Sequence, residues 1–102
     1  MSAAAKQAVS HAGKSLGKNV KELRLHLCQT SASSGGVRQF VERDYVALKV
    51  ANPHLPIMVR ECSGVVPRVY ARYTLGVERS VDLTDFNANQ VLSSIENLAK
   101  KV

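Results

Sequence analysis

The stretch Lys21-Glu22-Leu23-Arg24-Leu25-His26-Leu27-Cys28 decides the fold. Leu23, Leu25 and Leu27 alternate with Glu22, Arg24, His26 and Cys28, which is the period of a strand with one apolar and one polar face. A small-residue loop, Gln29 to Gly36, follows, and then a pattern of helical period. Strand, loop and helix make the first half of a βαβ unit, with this strand at the centre of the sheet. Cys28, at the strand's carboxyl end, is the one place where chemistry is expected.

Working outward, Ser33 and Ser34 offer N-caps and Gly35-Gly36 a turn. Val37, Phe40, Val41, Tyr45 and Leu48 then share one helical face, with Phe40 and Tyr45 read as core. Arg38 and Glu42 sit four apart on the outer side, as a weak ion pair would. The helix spans 36–51 and stops at Asn52-Pro53, because a residue before proline is pushed out of the α region. Residues 55–62 read as a second strand, parallel to the first, with Met58, Arg60 and Cys62 opposite Ile57 and Val59. Residues 68–73 follow Pro67 as a third strand. Gly76 turns the chain into a fourth, residues 79–83, antiparallel to the third. Asn87 and Gln90 suit a capping box, Phe86 and Val91 its hydrophobic staple, and Val91, Leu92, Ile95 and Leu98 the stripe of a last helix. The fold class is α/β, a four-stranded mixed sheet in the order β-α-β-β-β-α with two main helices.

Residues 1–19 form a separate region: Ala, Ser, Gly and Lys without an acidic residue. The composition suits a flexible arm or a mitochondrial targeting segment, although no arginine precedes Arg24. The domain proper is 20–102. Of the net charge of +6, the first 24 residues hold Lys6, Lys14, Lys18, Lys21 and Arg24 against Glu22, so the body is only mildly basic. That distribution does not favour a nucleic-acid partner, whose basic stripe belongs on the folded surface. No run approaches the ~20 apolar residues of a membrane span.

Two cysteines exclude a four-cysteine zinc site, and His11, His26 and His54 lack ligand spacing with them, so no metal is expected. Gly35-Gly36 lacks the lysine and spacing of a phosphate loop, and no cofactor is expected. Glu61 and Asp82 read as surface charges. His26 and Cys28 share a strand face but stand ~7 Å apart at Cβ, too far for direct base activation. Cys28-Gln29-Thr30-Ser31 has the C-x-x-C spacing of redox proteins with serine in place of the resolving thiol, which argues against dithiol exchange. Cys28 and Cys62 end neighbouring parallel strands ~4.8 Å apart, within reach of a disulfide if the register matches. Closing that loop of about 35 residues would contribute ~3–4 kcal/mol in the chain-entropy account.

The order, with proline just before the third strand, resembles the thioredoxin-like core. Leu25-His26-Leu27-Cys28-Gln29, Gly36-Val37-Arg38, Ala51-Asn52-Pro53 with Leu55-Pro56-Ile57, Arg60-Glu61-Cys62-Ser63 and Ala71-Arg72-Tyr73 resemble one family more closely. That family is the small thioredoxin-like accessory subunit of mitochondrial respiratory complex I (NADH:ubiquinone oxidoreductase), which shares its domain with some mitochondrial ribosomal proteins. The resemblance implies a non-catalytic, assembly-supporting subunit, peripheral on the matrix side of the inner membrane. It implies other complex I subunits as partners, with the large iron–sulfur core subunit of the NADH-oxidising module as neighbour. A mitochondrial ribosomal protein and a monothiol oxidoreductase are the alternatives. Redox relatives usually place a helix between the second and third strands, and Ser63-Gly64-Val65-Val66-Pro67 is too short for one. One sheet face should therefore lie open unless the amino-terminal arm covers it. Parity assigns it Arg24, His26, Met58, Arg60, Tyr70 and Arg72, a composition enriched in interface cores. Arg60 and Arg72 are expected to grip partner carboxylates.

Overall fold

The computed structural model describes Leu16 and residues 19–100. Strand β1 (Val20–Leu27) leads through a single 3₁₀ turn (Ala32–Ser34) into α1 (Gly35–Ala51). Strands β2 (Ile57–Glu61), β3 (Arg68–Tyr73) and β4 (Glu78–Asp82) follow, and α2 (Ala88–Lys100) closes the chain. The sheet order is β2-β1-β3-β4, with β2 parallel to β1 and the other neighbours antiparallel. The expected element order, pairing directions and central strand are those observed.

Burial explains the layering. Leu23, Leu25 and Leu27 of β1, Val69 and Ala71 of β3, and Val37, Phe40, Leu48, Val91, Leu92 and Ile95 of the helices form one core. Both helices therefore cover the same face of the sheet. The strand ends fall short of the alternating pattern where local bonds compete with the ladder. The Cys28 N–H donates to Ser34 Oγ (3.1 Å), and the Leu55 N–H donates to the Asn52 carbonyl (3.1 Å) in the turn before β2. Leu83 still donates its N–H to the Pro67 carbonyl (2.8 Å) in the β3–β4 register, but Pro67 has no N–H to return, so the ladder ends at Asp82.

The start of α2 is as expected. The Asn87 N–H donates to Gln90 Oε1 (2.9 Å), and the Gln90 N–H donates back to Asn87 Oδ1 (2.8 Å). The start of α1 is not. Gly35 and Gly36 are helical residues rather than a turn, and Ser31 caps the 3₁₀ turn through its side chain. Gly36 is there because a Cβ would lie 1.6 Å from the Phe86 carbonyl oxygen, where the loop before α2 crosses the helix. Arg38 makes no ion pair with Glu42. Its Nη1 donates to the Cys28 and Ser31 carbonyls, both at 2.8 Å, tying the end of β1 to the first turn of α1.

Asp44 is fully buried on the core-facing side of α1. Arg43 folds over it with bonds of 2.7–3.0 Å, and Arg43 Nη2 also donates to Asn89 Oδ1 on α2. A buried carboxylate held in this way joins the two helices.

Two residues assigned to the arm contact the body. Leu16 is buried in the core, its N–H donating to Asn52 Oδ1 (2.8 Å), and Asn19 Nδ2 donates to the Ala99 carbonyl (3.4 Å). The rest of the expected arm lies outside the described residues.

The two glycines should respond oppositely to alanine. Gly36→Ala should lose about 3 kcal/mol or more, since backbone must move to admit the methyl group. Gly35→Ala meets nothing closer than Arg38 Nη2 at 3.8 Å and should stabilise the helix by about 0.5–1 kcal/mol. Urea denaturation of the two variants measures both.

Candidate functional site

The face of the sheet opposite the two described helices collects the side chains that parity assigned to it. Arg24 stands beside Met58 and His26 beside Arg60 across the parallel pair; Arg24 faces Tyr70, and Glu22 faces Arg72, across the antiparallel one. Arg68, Ser80, Glu78 and Asp82 complete the face through the β3–β4 register. The rings of His26 and Tyr70 lie 4.7 Å apart at 49°, and the Arg24 guanidinium lies 5.2 Å from the Tyr70 ring centroid. A cationic and aromatic cluster thus occupies the middle of the face.

Its electrostatics are mostly settled internally. Arg24 pairs with Glu78 (2.9 Å), Arg72 with Glu22 (2.9 Å), and Arg68 approaches Asp82 at 4.0 Å. Arg60 has no carboxylate among the described residues; its Nη2 lies 3.8 Å from Met58 Sδ. Of the two arginines expected to grip partner carboxylates, Arg72 pairs with Glu22 within the sheet, and Arg60 has no such carboxylate among the described residues. Partial burial, then the positive charges of Arg24 and Arg60, hold the His26 imidazole below its ordinary 6.5.

At the end of the same face lie the two cysteines. The β1–β2 register ends with Leu27 opposite Glu61, and the Cys62 N–H donates to the Leu27 carbonyl (3.0 Å), so Cys28 and Cys62 are the next positions on neighbouring strands. The expected disulfide is not made: both are free thiols, Cys28 buried and Cys62 exposed. The Cys28 sulfur instead lies 3.7 Å from Thr30 Oγ1 and accepts the Gly64 N–H (3.4 Å). Those contacts favour the thiolate. The Gly64 amide first, then the amides of Thr30 and Ser31 and the Thr30 hydroxyl, bring the thiol from 9.0 down to about 7. A helix amino terminus is a common source of such a shift, but α1 starts too late to supply it. The amides come instead from the loop after β1 and from the β2–β3 connection. Ser31, at the resolving position, bonds Ser33 Oγ (2.7 Å) and the Ser33 amide.

A sequence profile named for the mitochondrial ribosomal protein L51 / S25 / CI-B8 domain matches residues 37–88, from the first core valine of α1 to the first residue of α2. The chain belongs to that family. Within the L51/S25/CI-B8 family it is 52% identical over 86 residues to an Arabidopsis thaliana protein named NADH dehydrogenase [ubiquinone] 1 alpha subcomplex subunit 2, covering 84% of this chain and 89% of that one. The Mus musculus protein of the same name is 47% identical over 96 residues, covering 94% of this chain and 92% of its own length. The large ribosomal subunit protein mL43 of Mus musculus is 30% identical over 87 residues, which is 48% of its length.

Two titrations check the site. In a Cys62→Ser background, the thiolate absorbance of Cys28 should have its midpoint at about 7, and Thr30→Val should raise it. Because the folded value lies below the ordinary one, the resulting stability is complete above 9.0 and lost as pH falls through about 7. The His26 imidazole should titrate below 6.5 by proton NMR and move upward in Arg60→Gln, with the larger share of its shift, from burial, remaining.

Proposed function

We propose that this chain is a non-catalytic accessory subunit of mitochondrial NADH dehydrogenase (complex I) that supports assembly or stability of its matrix arm. The observation that carries it is 52% and 47% identity, over most of both chains, to proteins named as alpha subcomplex subunits of that enzyme. The ribosomal reading has less support, since the mL43 likeness is 30% and spans under half of that protein.

On this reading the domain is thioredoxin-like and sits peripherally on the matrix side, bound to other complex I subunits, with the large iron–sulfur core subunit as neighbour. Among the described residues no helix is long and apolar enough to cross a membrane, which agrees with a peripheral place. Residues 1–19, of which only Leu16 and Asn19 are described, are the targeting candidate. The open sheet face is the docking surface. Arg24, His26, Met58, Tyr70 and Arg72 form its centre, and Arg60 is the cation left to meet a partner carboxylate.

The monothiol oxidoreductase reading is favoured by one observation, the thiol at about 7. Against it, Cys28 is only 3% exposed and the resolving position is Ser31. Cys28→Ser should leave NADH oxidation per assembled complex unchanged and lower the amount assembled. A fall in turnover at normal assembly would support the oxidoreductase.

For the docking face, Arg60→Glu should leave melting of the isolated chain nearly unchanged while removing most of it from the complex on native electrophoresis of solubilised mitochondria. Gln39→Glu, on the exposed side of α1, is the control. Arg38 and Arg43 are unsuitable because both hold the fold together. Equal depletion by both variants, or by neither, would place docking elsewhere.

A further inference from the structure

At the β3–β4 turn the side chain and the backbone conformation disagree. The Tyr73 N–H donates to the Val77 carbonyl (2.7 Å), closing the loop Thr74-Leu75-Gly76. Leu75 has φ 65 and ψ 22, and Gly76 has φ 76. Two successive positive φ values are what tight hairpin turns of the I′ kind require, and Asn-Gly or Asp-Gly supplies them with least steric cost. Leucine is a poor choice there, because its Cβ crowds the backbone in the left-handed region. The other non-glycine residue at positive φ among the described residues is Asp85, a type that tolerates the region.

Packing within the domain does not account for the leucine either. Leu75 is 95% exposed, the most exposed large apolar side chain described, and Val77 at the base of the tip is 51% exposed. The turn precedes β4, an edge strand, so no further strand of the sheet lies beyond it. Arg79, two residues on, is exposed and has no carboxylate partner among the described residues. A strained backbone that holds an apolar group out in water, on a hairpin whose outgoing strand carries the exposed Arg79, suits an anchor for another protein.

We propose that the β3–β4 hairpin tip is a docking anchor: Leu75, backed by Val77, inserts into an apolar pocket with an acidic rim on a neighbouring protein subunit of complex I. The anchor rests on membership of that complex and is independent of the open sheet face. It makes a prediction with two opposite signs. Leu75→Asn should relieve the turn and raise the melting temperature of the purified full chain by roughly 4–8 °C. The same substitution should lower the share of the chain found in the complex roughly tenfold, since a leucine's burial is lost. Leu75→Met keeps an apolar side chain at the same backbone and should assemble nearly as the wild type does.

The experiment expresses wild type, Leu75→Asn and Leu75→Met in cells lacking their own copy, and compares native electrophoresis of solubilised mitochondria with melting curves. Leu75→Asn that melts higher but fails to assemble, with Leu75→Met assembling, establishes the anchor. Leu75→Asn that assembles like wild type overturns it, as does Leu75→Asn that melts lower, which would give the leucine a role inside the domain. Sedimentation with anionic phospholipid vesicles that Leu75→Asn abolishes, at unchanged assembly, would replace the protein pocket with a membrane surface. Wild type that does not migrate with an NADH-oxidising complex would overturn the accessory-subunit reading, and the anchor with it.

Discussion

Residues 62–67 constrain the rest of the architecture. They join β2 to β3, which lie on opposite sides of β1, so they must cross the end of that central strand. The crossing spans two strand spacings, roughly 10 Å. Six residues suffice for that path and leave none for a helix. Both described helices lie on the other face, where the β1 leucines meet them, and no described residue covers the polar face. Gly64, at φ 78, makes the bend.

The bare face is far from being a field of free positive charge. Three of its arginines have carboxylates of the same sheet within 4.0 Å. Exposed pairs of this kind contribute about 0–1 kcal/mol each, so their main effect is to fix side chains rather than to stabilise the fold. Ordered guanidinium groups around Tyr70 lose less entropy when a partner arrives. If this face docks as proposed, specificity falls to the few groups left over: the Arg60 charge, the Tyr70 ring and the Met58 thioether. A partner matched to this face needs little net negative charge, which suits protein better than nucleic acid.

Most of this was legible in the sequence because period and turn chemistry carried it. The alternation of β1 placed Arg24 and His26 together, and the shortness of Ser63 to Pro67 exposed their face. Asn87 and Gln90 announced α2 correctly. What escaped reading depended on contacts between distant segments. Gly36 looks like a turn residue until the Phe86 carbonyl is seen against it. Asp44 lies on the core stripe Val37, Phe40, Asp44, Leu48, yet an aspartate there reads as a break in the pattern. Only the neighbouring Arg43, turned over it and reaching Asn89, makes its burial affordable. Arg38 and Glu42 had helical pairing distance, but the carbonyls at the end of β1 took the guanidinium. Leu75 carries a local signal of its own: a leucine before glycine where a hairpin favours asparagine.

The lowered Cys28 thiol follows from the same crossing. A connection that passes over a strand end must turn its amides somewhere, and here the Gly64 N–H points down onto the sulfur. The amides of Thr30 and Ser31 arrive from the other side because the chain bends into the 3₁₀ turn at that point. The thiolate is therefore stabilised by backbone that the topology had to place there. Activation of this origin does not amount to catalysis, which also requires access for a substrate and a group to resolve the intermediate. The crossing that lowers the thiol also covers it, and the position where a second thiol would stand is occupied by Ser31, committed to capping the turn. The geometry that makes Cys28 acidic is thus the geometry that encloses it, since one short crossing brings an amide to the sulfur and closes over the strand end.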